Sequence, residues 1–139
     1  MALNNPYQAY QANQVFTLSG EKLVLVMYDG SLRFCQQALA ALKERDYAKA
    51  NENLIRAQEI VTELMAGLNF EAGEVARGLY RLYDFIHWYL IQANVNKKAE
   101  MVEEVIAFLR ELRDTWEEAV RKCRGNGSAG QPGGLNLQG

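Results

Sequence analysis

"ANENLIRAQEIVTELMAGL", residues 50–68, sets Ala50, Leu54, Ala57, Val61, Leu64 and Leu68 at alternating steps of four and three. With 3.6 residues per turn those positions form one apolar stripe along a helix, and Asn51, Glu52, Arg56, Glu59 and Glu63 fill the other faces. Asp46 precedes the run and can cap its first turn, so the spacing predicts a helix over about 47–68.

The same spacing recurs on both sides. Val75, Leu79, Leu82, Ile86, Tyr89 and Ala93 mark a helix over about 73–93, entered through the break Asn69 to Gly73. Val102, Val105, Leu109, Leu112, Trp116 and Ala119 mark another over about 97–124, after the polar stretch "NVNKK". Ser19 is a suitable cap for a first helix over about 19–45. No strand alternation of useful length is present, and the connections are short, so the expected fold is all-α: an antiparallel up-down four-helix bundle. Residues 1–18 form an N-terminal extended or capping segment, and residues 125–139 form a tail. The tail, "GNGSAGQPGGLNLQG", has six glycines and no charge, which predicts disorder.

At 139 residues the chain fits one domain with a core of its own. The 15 basic and 17 acidic residues leave a net charge of -2, mixed in sign along the chain, which disfavours nucleic acid as a partner. The longest uninterrupted apolar run, Leu23 to Tyr28, is far short of the roughly 20 residues of a membrane span. No basic, apolar secretory leader opens the chain, so a cytoplasmic location is expected without membrane insertion. Cys35 and Cys123 belong to no metal or redox motif and read as buried free thiols. In an up-down bundle they would lie roughly 20 Å apart at ~1.5 Å rise per residue, beyond disulfide reach.

Catalysis is not expected. Asp84 and His87 have the i, i+3 spacing of half a carboxylate-bridged di-iron site, but His87 is the only histidine and the second half cannot exist. There is no phosphate-cradling glycine loop and no nucleophile motif, so neither cofactor nor metal is expected.

Apolar residues exceed what one core stripe needs. The first helix carries Leu23, Met27, Gly30, Phe34, Ala38 and Ala41 as one stripe and Leu25, Tyr28, Leu32, Cys35, Leu39 and Leu42 as another. The third has an off-core row of Tyr80, Trp88 and Ile91. Such helices are either central to their bundle or covered by a partner. Gly30 interrupts a strong helix at about 1 kcal/mol relative to alanine, which calls for a close backbone approach by a neighbouring helix or a ligand peptide.

The uncharged leader "NPYQAYQANQV" (5–15), "LVLVMYDGSLRF" (23–34), "LNFEAGEVARGLYRLYDF" (68–85) with "IQAN" (91–94), and "LRDTWEEA" (112–119) together resemble the flagellin export chaperone family FliS, in order and at consistent spacing. Gly20 stands where that family usually has proline, and "EAGE" replaces the more familiar "EGGE". The resemblance implies a helical bundle, without enzymatic activity, that binds the disordered C-terminal segment of flagellin, prevents premature polymerisation and assists delivery to the flagellar export apparatus. It leaves open a homodimer without client. Candidate flagellin-binding residues are Tyr7, Tyr10, Val15, Leu25, Tyr28, Gly30, Tyr80, Trp88 and Ile91. The leader, with Pro6 opposing helix and two tyrosines offering apolar faces, reads as a lid or clamp, or else as a permanent strap on the core. A different class of function, a client-free bundle forming a constitutive homo-oligomer, would use the same apolar stripes.

Overall fold

The computed structural model describes residues 20–130, with side chains described as far as Lys122. Four helices follow one another: α1 (Glu21–Lys43), α2 (Tyr47–Ala66), α3 (Glu74–Asn96) and α4 (Ala99–Gly130), with a single 3-10 turn, Phe70–Ala72, between α2 and α3. Each packs on its neighbours in sequence, and α4 closes the ring against α1. Pairings across the seams run in opposite directions along the chain. Asp29 meets Arg113 while Lys43 meets Glu103, and Phe85 meets Phe108 while Tyr89 meets Glu104. The bundle is therefore antiparallel, up-down-up-down.

Helix ends explain the tight turns. Asp46 caps α2 by accepting from the Lys49 amide at 3.2 Å. The cap of α1 is Gly20 in extended conformation, with no side-chain bond, in place of the expected Ser19, which lies outside the described residues. Asn69 accepts from the Glu71 amide at 3.1 Å and opens the 3-10 turn, which Gly73 leaves at φ 90°, a conformation that favours glycine.

Two sharp reversals were not legible as such, because no glycine marks them. Arg45 and Lys97 adopt positive φ, 62° and 52°. After each, the amide of the next residue reaches back to a carbonyl five residues earlier, Asp46 to Ala41 at 2.8 Å and Lys98 to Ala93 at 3.1 Å, the Schellman pattern. This closure lets α3 run to Asn96, three residues past the expected end.

Helix α4 continues through residues 125–130 of the stretch expected to be disordered. Extending an existing helix adds a hydrogen bond per residue without a new nucleation cost, which offsets the poor propensity of glycine there. Residues 131–139 lie outside the described residues.

The core holds the α2 stripe, Ala50, Leu54, Ala57, Val61 and Leu64, entirely buried, and Leu68, just past the helix end, is buried beside it. Val24, Tyr28, Leu32, Cys35 and Leu42 face it from α1, Ala76, Tyr83, Ile86, Leu90 and Ala93 from α3, and Val102, Val105, Leu109 and Trp116 from α4. Each large aliphatic side chain taken wholly out of water contributes about 1.5–3 kcal/mol before ordering entropy is set against it. Among the described residues two polar side chains are buried, and each bonds within a turn: Ser31 Oγ donates to the Tyr28 carbonyl and Asn53 Nδ2 to that of Lys49, both at 2.9 Å. Val75, expected in the α3 stripe, is instead 52% exposed, because the 3-10 turn rather than α2 lies beside the start of α3.

Gly30 is buried on the face of α1 turned toward α2. A Cβ there would stand 3.2 Å from Ile60 Cδ1, so the close approach is to a neighbouring helix. Gly30→Leu should separate the two helices and cost about 1–3 kcal/mol by overpacking, read as a lowered urea midpoint with an unchanged slope.

Candidate functional site

The six candidate residues that are described do not converge. Tyr7, Tyr10 and Val15 lie outside the described residues. Tyr28 and Gly30, expected on a client surface, are inside the bundle, because α1 turns a broad face toward α2, α3 and α4 at once. Leu25 is half-buried on the seam of α1 with α4, beside Glu21, Lys22, Glu117, Val120 and Arg121. Tyr80 is 40% exposed over the α2/α3 seam, beside Thr62, Met65, Ala66, Asp84 and His87, and meets Phe70 edge-on at 5.5 Å. Ile91 is half-buried, and Trp88 is 53% exposed on the outer side of α3.

Around Trp88 the structure assembles a cluster that helical spacing alone did not single out. Phe85 stacks on Tyr89 at 5.3 Å and meets Phe108 of α4 edge-on at 6.1 Å. Trp88 lies 6.4 Å from Phe85 and 6.2 Å from Tyr89. Such ring pairs add about 0.5–1.5 kcal/mol each beyond area burial, so the cluster holds its shape while much of it faces water. The Tyr89 hydroxyl donates to Glu104, a bond that only the protonated phenol can make, and this raises the tyrosine pKa above its ordinary value. Phe85 and Phe108 could have been suspected from their positions flanking the α3 and α4 stripes. Tyr89, expected in the α3 core stripe, is half-buried and packs against the core from this edge.

Tyr28 has a partner that sequence reading missed. Its hydroxyl and that of Tyr83 form a hydrogen bond across the centre of the bundle, joining α1 to α3. Burial pushes Tyr28 up to about 12, against the lowering effect of the bond, and burial raises Tyr83 well above its usual range. Burial likewise pushes the Cys35 thiol up to about 12. All three groups hold their protons more tightly folded than unfolded. Their stabilising effect is therefore complete below the unfolded values of 9.0 and 10.0 and is lost as pH rises toward 12. Thermal melts should show an alkaline limb that falls across that window and flattens in Tyr28→Phe/Tyr83→Phe, with the tyrosinate absorbance of these two residues, read as wild type minus double variant, appearing only as the wild type unfolds.

On the α1/α4 seam, Arg113 joins Asp29 at 2.7 Å and Glu117 at 2.8 Å, and Trp116 Nε1 donates to the Glu21 carbonyl at 3.1 Å. Asn94 Nδ2 donates to Asn51 Oδ1 at 2.7 Å and ties α3 to α2. Among the described residues no group of three His, Cys, Asp or Glu is placed to hold a metal, and no helix is long and apolar enough to cross a membrane. The surface offers apolar and aromatic area; what that arrangement can do is bind.

A family model described as flagellar protein FliS matches residues 3–123. The chain belongs to the FliS family. It is 38% identical over 124 residues to the flagellar secretion chaperone FliS of Bacillus subtilis (strain 168), covering 89% of this chain and 92% of that protein. The protein of the same name from Campylobacter jejuni is 34% identical over 119 residues, covering 85% and 93%, and that from Salmonella typhimurium is 32% identical over 111 residues, covering 78% and 82%. Several residues that carry the FliS resemblance are fasteners of the bundle: Asp29 with Arg113, Trp116 over the start of α1, Asn94 on Asn51, and Gly73 at the 3-10 turn.

Proposed function

We propose that the protein is a cytoplasmic flagellar secretion chaperone that binds the C-terminal segment of flagellin, keeps it from polymerising prematurely and assists its delivery to the flagellar export apparatus. The observation that carries this reading is the amount of apolar surface left over once the core is complete: Leu23, Val26, Phe70, Tyr80, Phe85, Trp88, Val95 and Phe108 are each at least 37% exposed. A single-domain bundle gains nothing from such residues by itself, and an extended or helical client covers them. The names of the relatives, flagellar secretion chaperones, support flagellar export as the setting, and flagellin as the client is part of this proposal. Tyr7 and Tyr10 of the leader act as a displaceable lid or clamp on part of this surface, beginning where the chain enters α1 beside Leu23, Leu25 and Val26.

Calorimetric titration of the full chain with a flagellin C-terminal segment tests the proposal. Ordering a disordered client against apolar surface should give a clearly negative heat-capacity change with modest salt dependence. A heat-capacity change near zero with steep salt dependence would mean a charged contact, and no binding at all would overturn the client assignment.

A further inference from the structure

We propose that the reversal between α3 and α4 is a hinge for domain swapping: two copies of this chain straighten it, fuse α3 and α4 into one helix each, and exchange α4. The inference concerns the chain without a client and does not rest on the function proposed above. It comes from comparing the three reversals. Between α2 and α3 the chain is broken by Gly67, the 3-10 turn and Gly73. Between α1 and α2, Asp46 marks the break by accepting from the Lys49 amide, and these two helices pack more closely than any other pair. Between α3 and α4 nothing of the kind stands. Only Lys97 and Lys98 separate Asn96 from Ala99, and no glycine or proline occurs between Gly78 and Gly125. Lys98, the residue before α4, has no side-chain acceptor with which to cap it.

Lys97 nevertheless holds φ 52° and ψ 47°, a left-handed conformation that side chains other than asparagine and aspartate rarely adopt. Packing of α3 on α4 has to hold it there, yet α4 leans on α1 more closely than on α3. In a helix that runs on from α3 the same residue is relaxed, and its neighbours gain the hydrogen bonds that the turn interrupts.

The exchange closes on itself. Two continuous helices, side by side and antiparallel about a two-fold axis through Lys97 and Lys98, place α4 of each copy against α3 and α1 of the other. Phe85 with Phe108, Tyr89 with Glu104, Asp29 with Arg113 and Lys43 with Glu103 all re-form, now between copies. Core packing is then the same in monomer and dimer, and the balance is left to the hinge and to concentration. Opening takes Val102, Val105 and Leu109 out of the core, so the two forms interconvert slowly.

Size exclusion with light scattering, on full chain refolded at low and at high concentration, measures the dimer. Its fraction should rise with refolding concentration and persist when the isolated peak is diluted. Lys97→Gly relaxes the turn and weakens the fused helix at once, so it should lower the dimer association constant about a hundredfold without lowering the melting temperature of the monomer. Spin-label distances separate exchange from simple contact. Arg81→Cys/Glu111→Cys, made together with Cys123→Ser and with Cys35 buried and unreactive, carries its labels at exposed positions on facing stretches of α3 and α4. Diluted into unlabelled chain, so that one copy per dimer is labelled, it should give a short distance in the monomer peak. In the dimer peak the distance should be about 45 Å, the helical rise along the residues between the labels. A dimer peak with the short distance is a surface contact between closed copies and overturns the inference. So does a dimer that Lys97→Gly leaves unchanged, and so does a chain that stays monomeric at every refolding concentration.

Discussion

Tyr83→Ala is expected to lower the unfolding free energy by about 3–5 kcal/mol, the usual cost of removing a fully buried aromatic ring, and to add the penalty of an orphaned Tyr28 hydroxyl. Total stability for a domain of this size is about 5–15 kcal/mol, so the variant should melt far lower or fail to fold. Phenylalanine substitutions separate ring from hydroxyl. Tyr28→Phe or Tyr83→Phe alone keeps the packing but leaves one buried hydroxyl without its partner, at about 1–3 kcal/mol. Replacing both removes donor and acceptor together and should restore most of that loss. Urea titrations of the two single variants and the double variant close a thermodynamic cycle with a strong coupling term. Simple additivity would show that each hydroxyl finds another partner, and the bond across the core would then have no energetic weight.

Combining Tyr7→Ala with Tyr10→Ala should shift flagellin affinity tenfold or more, roughly 1.4 kcal/mol, while the bundle loses little stability. Both rings stand in a leader whose first following charge is Glu21, and the chain enters α1 next to Leu23 and Val26, which are 49% and 62% exposed. A leader that covers these residues when the site is empty competes with the client, so its weakening tightens binding. One that folds over the bound client clamps it, so its weakening loosens binding. The sign of the shift in a titration distinguishes the two. A permanent strap behaves otherwise: truncating two buried aromatics would cost about 3–5 kcal/mol each, and severe unfolding of the double variant would remove lid and clamp together.

The alternation of fours and threes from Ala50 to Leu68 was sufficient for α2, since a helix that must bury one stripe has little freedom about which residues face inward. The Asp46 cap and the 69–73 break were legible for the same local reason: short polar side chains and glycine impose their turn chemistry on the nearest backbone groups. The reversals at Arg45 and Lys97 were not, because a non-glycine residue enters the left-handed region only when the packing of two whole helices holds it there.

For the candidate site the division is sharper. Sequence alone determined that this chain is helical and has more apolar residues than one core stripe requires. Which of those residues remain outside was a tertiary decision. Tyr28 looked like surface until Tyr83, 55 residues away, gave its hydroxyl a partner in the core. Phe85 and Phe108 became one surface only when α3 and α4 were laid side by side. Periodicity reports the direction of a side chain on its own helix, over a range of a few residues. Whether that direction ends in core or in water depends on where the neighbouring helices stand, which is set by packing over the whole bundle.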